Sequence, residues 1–122
     1  MLRGDFRVGD VPAVRRTVRH WATSLGLVTD RVESLELAAA ELATNSVRHG
    51  GGAGSVAMWA DDGAAVLEFT DTGSVDEPLT GRLLPAPEEG GGRGLYLVNQ
   101  LCDLVQLRSS PAGTTARVHT WL

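Results

Sequence analysis

The run from Thr29 to His49, TDRVESLELAAAELATNSVRH, constrains the fold of this chain more than any other segment. Val32, Leu35, Ala39, Leu42 and Ser46 recur at intervals of three and four, the spacing that lines one face of an α-helix. A start at Thr29 or Asp30 is predicted, with Glu33 completing a capping box from Asp30, and Gly50-Gly51-Gly52 ends the run. A second set, Glu41, Asn45 and His49, is spaced by fours. Each such step advances about 40° around the axis, so the three share a face roughly 100° from the apolar stripe. A helix lying on a sheet can therefore bury the stripe and still turn Glu41 and Asn45 toward a groove beside it.

The flanks define the partners of this helix. Asp10-Val11-Pro12 reads as an N-cap with proline in the first turn. Val11, Val14, Val18, Trp21, Ala22 and Leu25 then follow at helical spacing up to Gly26, with Arg15, Arg16 and Arg19 on the opposite face. After Gly52 the pattern turns to β. Ser55–Ala60 and Ala64–Thr70 flank Asp61-Asp62-Gly63, a hairpin signal. Residues 71–92 hold Pro78, Pro85 and Pro87 and no sustained period. That is too long for a plain connection, and residues 74–89 read as a lid or partner-binding loop. A helix over GLYLVNQLC follows, then strands near Asp103–Arg108 and Thr114–Leu122 around the turn Ser110-Pro111-Ala112-Gly113. This order predicts an α+β fold, a two-layer α/β sandwich with a mixed, mostly antiparallel sheet and its helices on one face. At 122 residues the chain suits one domain, 1–122.

Composition removes several function classes. A net charge of −4 argues against nucleic acid as a partner. All eleven basic residues are arginine, so neither a Walker A loop nor an ordinary protein kinase strand can supply its lysine. No apolar run approaches the ~20 residues of a membrane span, and the N-terminus lacks an apolar signal core. The single cysteine, Cys102, excludes an internal disulfide and fits a reducing, cytoplasmic setting. In LVNQLCDLV it reads as a small buried hydrophobe rather than a catalytic thiol.

Three segments carry chemistry. On the Glu41–His49 face, a carboxylate one turn from an amide oxygen suits a hard divalent cation, or a general base beside a metal-bound phosphate. A merely solvated helix face has the same spacing. In VLEFTDTG a strand ends at Asp71, with Gly73 allowing close approach of a flat ligand. The carboxylate there can accept a hydrogen bond from an exocyclic amine such as that of adenine; an Asx turn closing a strand looks alike. In Gly90-Gly91-Gly92-Arg93-Gly94-Leu95, glycines at 90, 92 and 94 precede a helix whose N-terminal N–H groups make an anion site, with Arg93 adding charge. A glycine hinge is the alternative. A Rossmann loop is excluded, because the preceding segment is rich in proline and acid and the spacing is wrong.

Taken in order, these boxes resemble the GHKL (gyrase, histidine kinase and related) ATPase superfamily, whose nucleotide-binding domain is the Bergerat fold. The resemblance spans residues 10–122. It implies ATP and Mg²⁺ as cofactors, with Glu41 as the catalytic glutamate and Asn45 as the magnesium ligand. It implies a nucleotide site completed by His49, Asp71, Gly73, Gly90, Gly92, Arg93, Gly94 and Leu95, with Thr115 near adenine. A second box reading D-T-G-S-V, an arginine-bearing helix before the asparagine helix, and no phosphoacceptor helix pair make the chain most similar to bacterial anti-sigma-factor serine kinases. That likeness implies a serine/threonine kinase that phosphorylates a small anti-sigma-factor antagonist, binds a sigma factor and pairs as a homodimer. The alternative is an ATP-gated partner-binding switch without phosphotransfer. His20 and His119 do not read as phosphoacceptors, and Glu88-Glu89 would bring negative charge near the phosphates.

Overall fold

The computed structural model describes residues 1–49, 51–71 and 97–122, apart from the side chain of His49. Strand β1 (Leu2–Arg7) leads through a turn of 3-10 helix, Val8–Asp10, into α1 (Val11–Ser24) and α2 (Thr29–His49). Strands β2 (Ala53–Asp61) and β3 (Ala64–Asp71) form one hairpin, β4 (Leu104–Ser110) and β5 (Gly113–Trp121) another. Residues 97–101 are helical. The strands lie in the order β1-β2-β3-β5-β4, and every pairing is antiparallel. The expected α+β sandwich is therefore present, but among the described residues its sheet is purely antiparallel rather than mixed.

Burial follows from the two periodicities. Helix α1 buries Val14, Val18 and Ala22, while α2 buries Val32, Leu35, Ala38, Ala39, Leu42 and Ala43. They cover a sheet face made by Phe6, Val56, Met58, Leu67, Phe69, Ala116 and Val118. Each large side chain so buried contributes about 1.5–3 kcal/mol. The α1 arginines find a use the sequence left open: Arg15 and Arg19 both reach Glu36 of α2, at 3.3 Å and 3.1 Å. The other sheet face carries Trp59, Glu68, Arg117 and His119. Arg117 Nε donates to Glu68 at 2.8 Å, and its guanidinium lies 5.2 Å from the Trp59 ring centroid.

Chain reversals follow local chemistry. The two central residues of the β2–β3 turn, Asp62 and Gly63, have φ of 26° and 84°, the positive values a two-residue hairpin turn demands and aspartate and glycine tolerate. Two expected caps differ. Asp10 makes no side-chain cap to α1; its Oδ2 accepts instead from the Arg7 N–H at 3.0 Å. Helix α2 starts at Thr29, which places Asp30 inside the first turn rather than at the N-cap of a capping box. Its charge still lies at the favourable end of the helix dipole. Strand β1 was not anticipated. Arg3, Asp5 and Arg7 alternate with Gly4 and a single buried anchor, Phe6, so its apolar signal is too sparse to read as a strand.

Candidate functional site

The second half of α2 keeps the stripe but changes its chemistry. Leu42, Ala43 and Ser46 are buried, Ser46 to 3% exposure, and this fixes the rotation of the helix. Glu41 and Asn45 are half-buried beside that stripe, one turn apart, as the spacing predicts. The Asn45 Nδ2 atom is buried and has no hydrogen-bond partner among the described residues. Buried polar atoms are nearly always paired, and leaving one unpaired costs about 1–3 kcal/mol. An unpaired amide at this place is what a site awaiting a polar ligand would show. His49 is the last residue of α2.

The strand side of the site is set by register. Asp71 closes β3 opposite Thr114 of β5, while Thr70 stands opposite Thr115. Alternation puts Thr114 on the helix-covered face with Ala116 and Val118, all buried. Thr115 falls on the open face with Arg117 and His119. The threonine that shares a face with Asp71 is therefore Thr114, and Thr115, the one expected near adenine, lies on the opposite face of the sheet. Either of two adjacent threonines fits the sequence, and only pairing with Asp71 distinguishes them. The Thr114 hydroxyl is hydrogen-bonded with that of Ser109 at 3.2 Å.

Helix and strand ends meet at Gly54. A Cβ built there would lie 3.1 Å from both Ser46 Cβ and the Thr70 carbonyl oxygen. The residue after Asn45 and the residue before Asp71 thus converge on one point. Nothing in the spacing of the sequence marks Gly54.

A nucleotide with its divalent ion fits this donor set. No cluster of three or more His, Cys, Asp or Glu occurs among the described residues. Magnesium is ordinarily held by one or two protein oxygens, with phosphate oxygens and water completing the octahedron. The Asn45 carboxamide suits that role, because rotation about its terminal bond exchanges Oδ1 for Nδ2. Gly73, Gly90, Gly92, Arg93, Gly94, Leu95 and the 74–89 segment with Glu88-Glu89 lie outside the described residues.

The described end of the helix that follows the glycines is anchored. Asp103 Oδ2 accepts from the Trp121 N–H at 2.7 Å and pairs with Arg31 of α2. Partial burial pushes the Asp103 carboxyl up, but the Trp121 and Arg31 hydrogen bonds and the Arg31 charge outweigh it and hold the group below the usual carboxylate range. Cys102 packs against the core. Burial pushes its thiol up to about 12, and the neighbouring Asp103 charge adds to the rise. Such a thiol stays protonated near neutral pH, as a small hydrophobe would and a nucleophile would not.

Comparison with known proteins gives a consistent set of relatives. Residues 5–120 match the model of the histidine kinase-like ATPase domain. The serine-protein kinase RsbW of Halalkalibacterium halodurans is 31% identical over 110 residues, which cover 80% of this chain and 68% of that protein. The RsbU and RsbW domains of a Mycobacterium tuberculosis protein align over 100% of this chain with a TM-score of 0.69 at 19% identity. This chain spans 33% of that longer polypeptide. A chain of the SiaB-SiaC complex from Pseudomonas aeruginosa gives a TM-score of 0.72 at 11% identity, over 98% of this chain and 88% of that one. At these identities the two structures speak for the fold.

Proposed function

We propose that this chain, which belongs to the histidine kinase-like ATPase domain family, is an ATP-dependent protein serine kinase that acts as an anti-sigma factor. The observation that carries the site is the buried Asn45 amide, unpartnered among the described residues, one turn from Glu41. ATP supplies the transferable phosphoryl group, and Mg²⁺ offsets the charge of its phosphates when bound. Asn45 holds the ion by its amide oxygen. Glu41 takes the proton from the incoming serine hydroxyl. Asp71 accepts a hydrogen bond from the adenine amine, with Thr114 at its side. By the family resemblance, Gly73 would serve the base, Gly90, Gly92, Arg93, Gly94 and Leu95 would serve the phosphates, and His49 would complete the cofactor site.

The substrate we infer is a small anti-sigma-factor antagonist, as befits a relative of the RsbW serine-protein kinase. A sigma factor would be the partner when that antagonist is absent, and the kinase would act as a homodimer in the cytoplasm with residues 1–122 as one domain. No helix among the described residues is long and apolar enough to cross a membrane.

The test incubates the protein with ATP radiolabelled on its γ-phosphate, Mg²⁺ and each small antagonist candidate from the same genome, beside a Glu41→Ala variant. Label on a serine of one candidate, abolished by the variant, is the expected result. Tight ATP binding without transfer to any candidate would replace the kinase by an ATP-gated binding switch. No ATP binding at millimolar nucleotide would end both readings.

A further inference from the structure

Gly54 occupies a position where glycine is required by space and not by backbone angle. Its φ is not among the positive values of the described residues, which belong to Gly26, Gly51, Gly52, Asp62, Gly63 and Gly113. Any residue could adopt its extended conformation. Yet a Cβ there would lie 2.9 Å from Phe6 Cζ, as well as 3.1 Å from Ser46 Cβ and from the Thr70 carbonyl oxygen. By contrast, a Cβ on Gly4, Gly9, Gly26, Gly52 or Gly63 would meet nothing within 4 Å.

What would yield if a side chain were placed there decides the consequence. Phe6 is the paired residue on β1; its ring is 2% exposed and packs edge-on against Phe69 with centroids 5.8 Å apart. The Thr70 carbonyl belongs to the β3 backbone, held between β2 and β5 by the sheet ladder. Ser46, in contrast, lies in the last turns of α2, close to the helix end at His49. The first half of α2 is anchored by Val32, Leu35, Ala38 and Ala39, while among the described side chains beyond Ser46 the partly buried Val47 alone packs against the core and Arg48 is exposed. The end of the helix is thus the part that lifts. Asn45 precedes Ser46, so a lift there moves the amide out of the site.

We infer that Gly54 is a positioning residue for the nucleotide site: its missing side chain seats the last turns of α2 against β2 and β3, and so presents Asn45 to the metal-bound phosphates. The inference rests on the proposed function. Gly54 itself touches neither nucleotide nor ion. Its effect runs through Ser46 to Asn45, and so falls on the contribution of the metal rather than on the adenine end near Asp71.

That distinction sets the experiment. ATP affinity is measured by calorimetry with and without Mg²⁺ for the full chain and for Gly54→Ala, together with a thermal melt of each. The ratio of the two affinities reports Asn45 presentation. A general loss of structure would instead weaken both affinities alike. Groups that orient a metal ligand typically alter metal affinity by about 10–100-fold, so the Mg²⁺ enhancement of Gly54→Ala is expected to fall by about tenfold or more. Its metal-free affinity is expected to stay within about twofold of the parent. An undiminished enhancement, or an equal loss with and without the ion, overturns the inference.

A compensating variant removes any ambiguity from misfolding. Gly54→Ala/Ser46→Gly takes away the Cβ that the new methyl meets on the helix while leaving its contacts with Phe6 Cζ and the Thr70 carbonyl, and is expected to fold and to regain the parental Mg²⁺ enhancement. A double variant that is unfolded, or folded without that enhancement, counts against the inference. If the parent chain itself shows no Mg²⁺ enhancement, the proposed function fails and the role of Gly54 fails with it. A parent that shows the enhancement and a Gly54→Ala variant that keeps it would refute Gly54 alone.

Discussion

The two halves of α2 obey one period and serve different ends. From Thr29 to Ala40 the inward positions are Val32, Leu35, Ala38 and Ala39, which fill the layer between helix and sheet. From Glu41 onward the same stripe continues as Leu42, Ala43 and Ser46, and the sheet beneath it offers Gly54, with no side chain at all. The front half gains from apolar volume. The rear half gives that volume up, comes close to the strands and leaves an amide unpaired. The difference separates a half built for packing from a half that carries the proposed site, with the first holding the second in register.

Substitutions along α2 can break this contrast or sharpen it. The largest effect belongs to the rear half. Glu41→Gln should lower the phosphotransfer rate by about 10²–10⁴-fold, the usual contribution of a general base, while its thermal midpoint stays that of the parent. A single-turnover assay beside a melt checks both. Next, Leu35→Ala in the front half should cost about 2–5 kcal/mol in urea unfolding, because the site is wholly buried and leaves a cavity. Its ATP affinity, where it folds, should stay within about twofold. Loss of nucleotide binding by a well-folded Leu35→Ala, or a large stability loss in Glu41→Gln, would erase the division between the halves.

Smaller effects test the rim of the front half. Glu36→Gln removes the shared partner of Arg15 and Arg19, whose side chains are 47% and 57% exposed. Solvent screening limits the loss to about 0.2–1 kcal/mol, and added salt should shrink it further. Asp103, tied to Arg31, carries a pH signature. Its folded pKa lies below the unfolded value near 3.8. Its stabilisation is thus complete above that value and is lost as pH falls through the folded one. Denaturant midpoints of the parent and Asp103→Asn should differ near neutral pH and converge in strong acid. A constant gap would remove the Arg31 tie from the account.

Much of this architecture was legible in the chain. The α1 and α2 stripes read correctly because each holds a dozen or more residues of one period with clear ends. Both hairpins read correctly because Asp62-Gly63 and Pro111-Ala112 mark their turns. Other features depend on pairing, which no linear pattern contains. Thr114 and Thr115 exchange roles with a register shift of one residue. The destination of Arg15 and Arg19 required knowing that Glu36 faces them from α2. Strand β1 needed its neighbour β2 to become a strand at all. Glu41 and Asn45 are half-buried one turn apart on α2, as their spacing predicts. The need for Gly54 arises from Phe6, Ser46 and Thr70, three residues far apart in the chain.

The central claim is that Asn45 presents its amide to Mg·ATP, and calorimetric titration of Mg·ATP into the parent chain and Asn45→Ala tests it most directly. The parent should bind saturably. The variant should bind at least about tenfold more weakly, as loss of a metal-orienting group entails, while unfolding at an unchanged or slightly higher temperature, since it no longer buries an unpaired amide. Equal affinities in the two proteins, or no binding by the parent at millimolar ATP, would contradict the account.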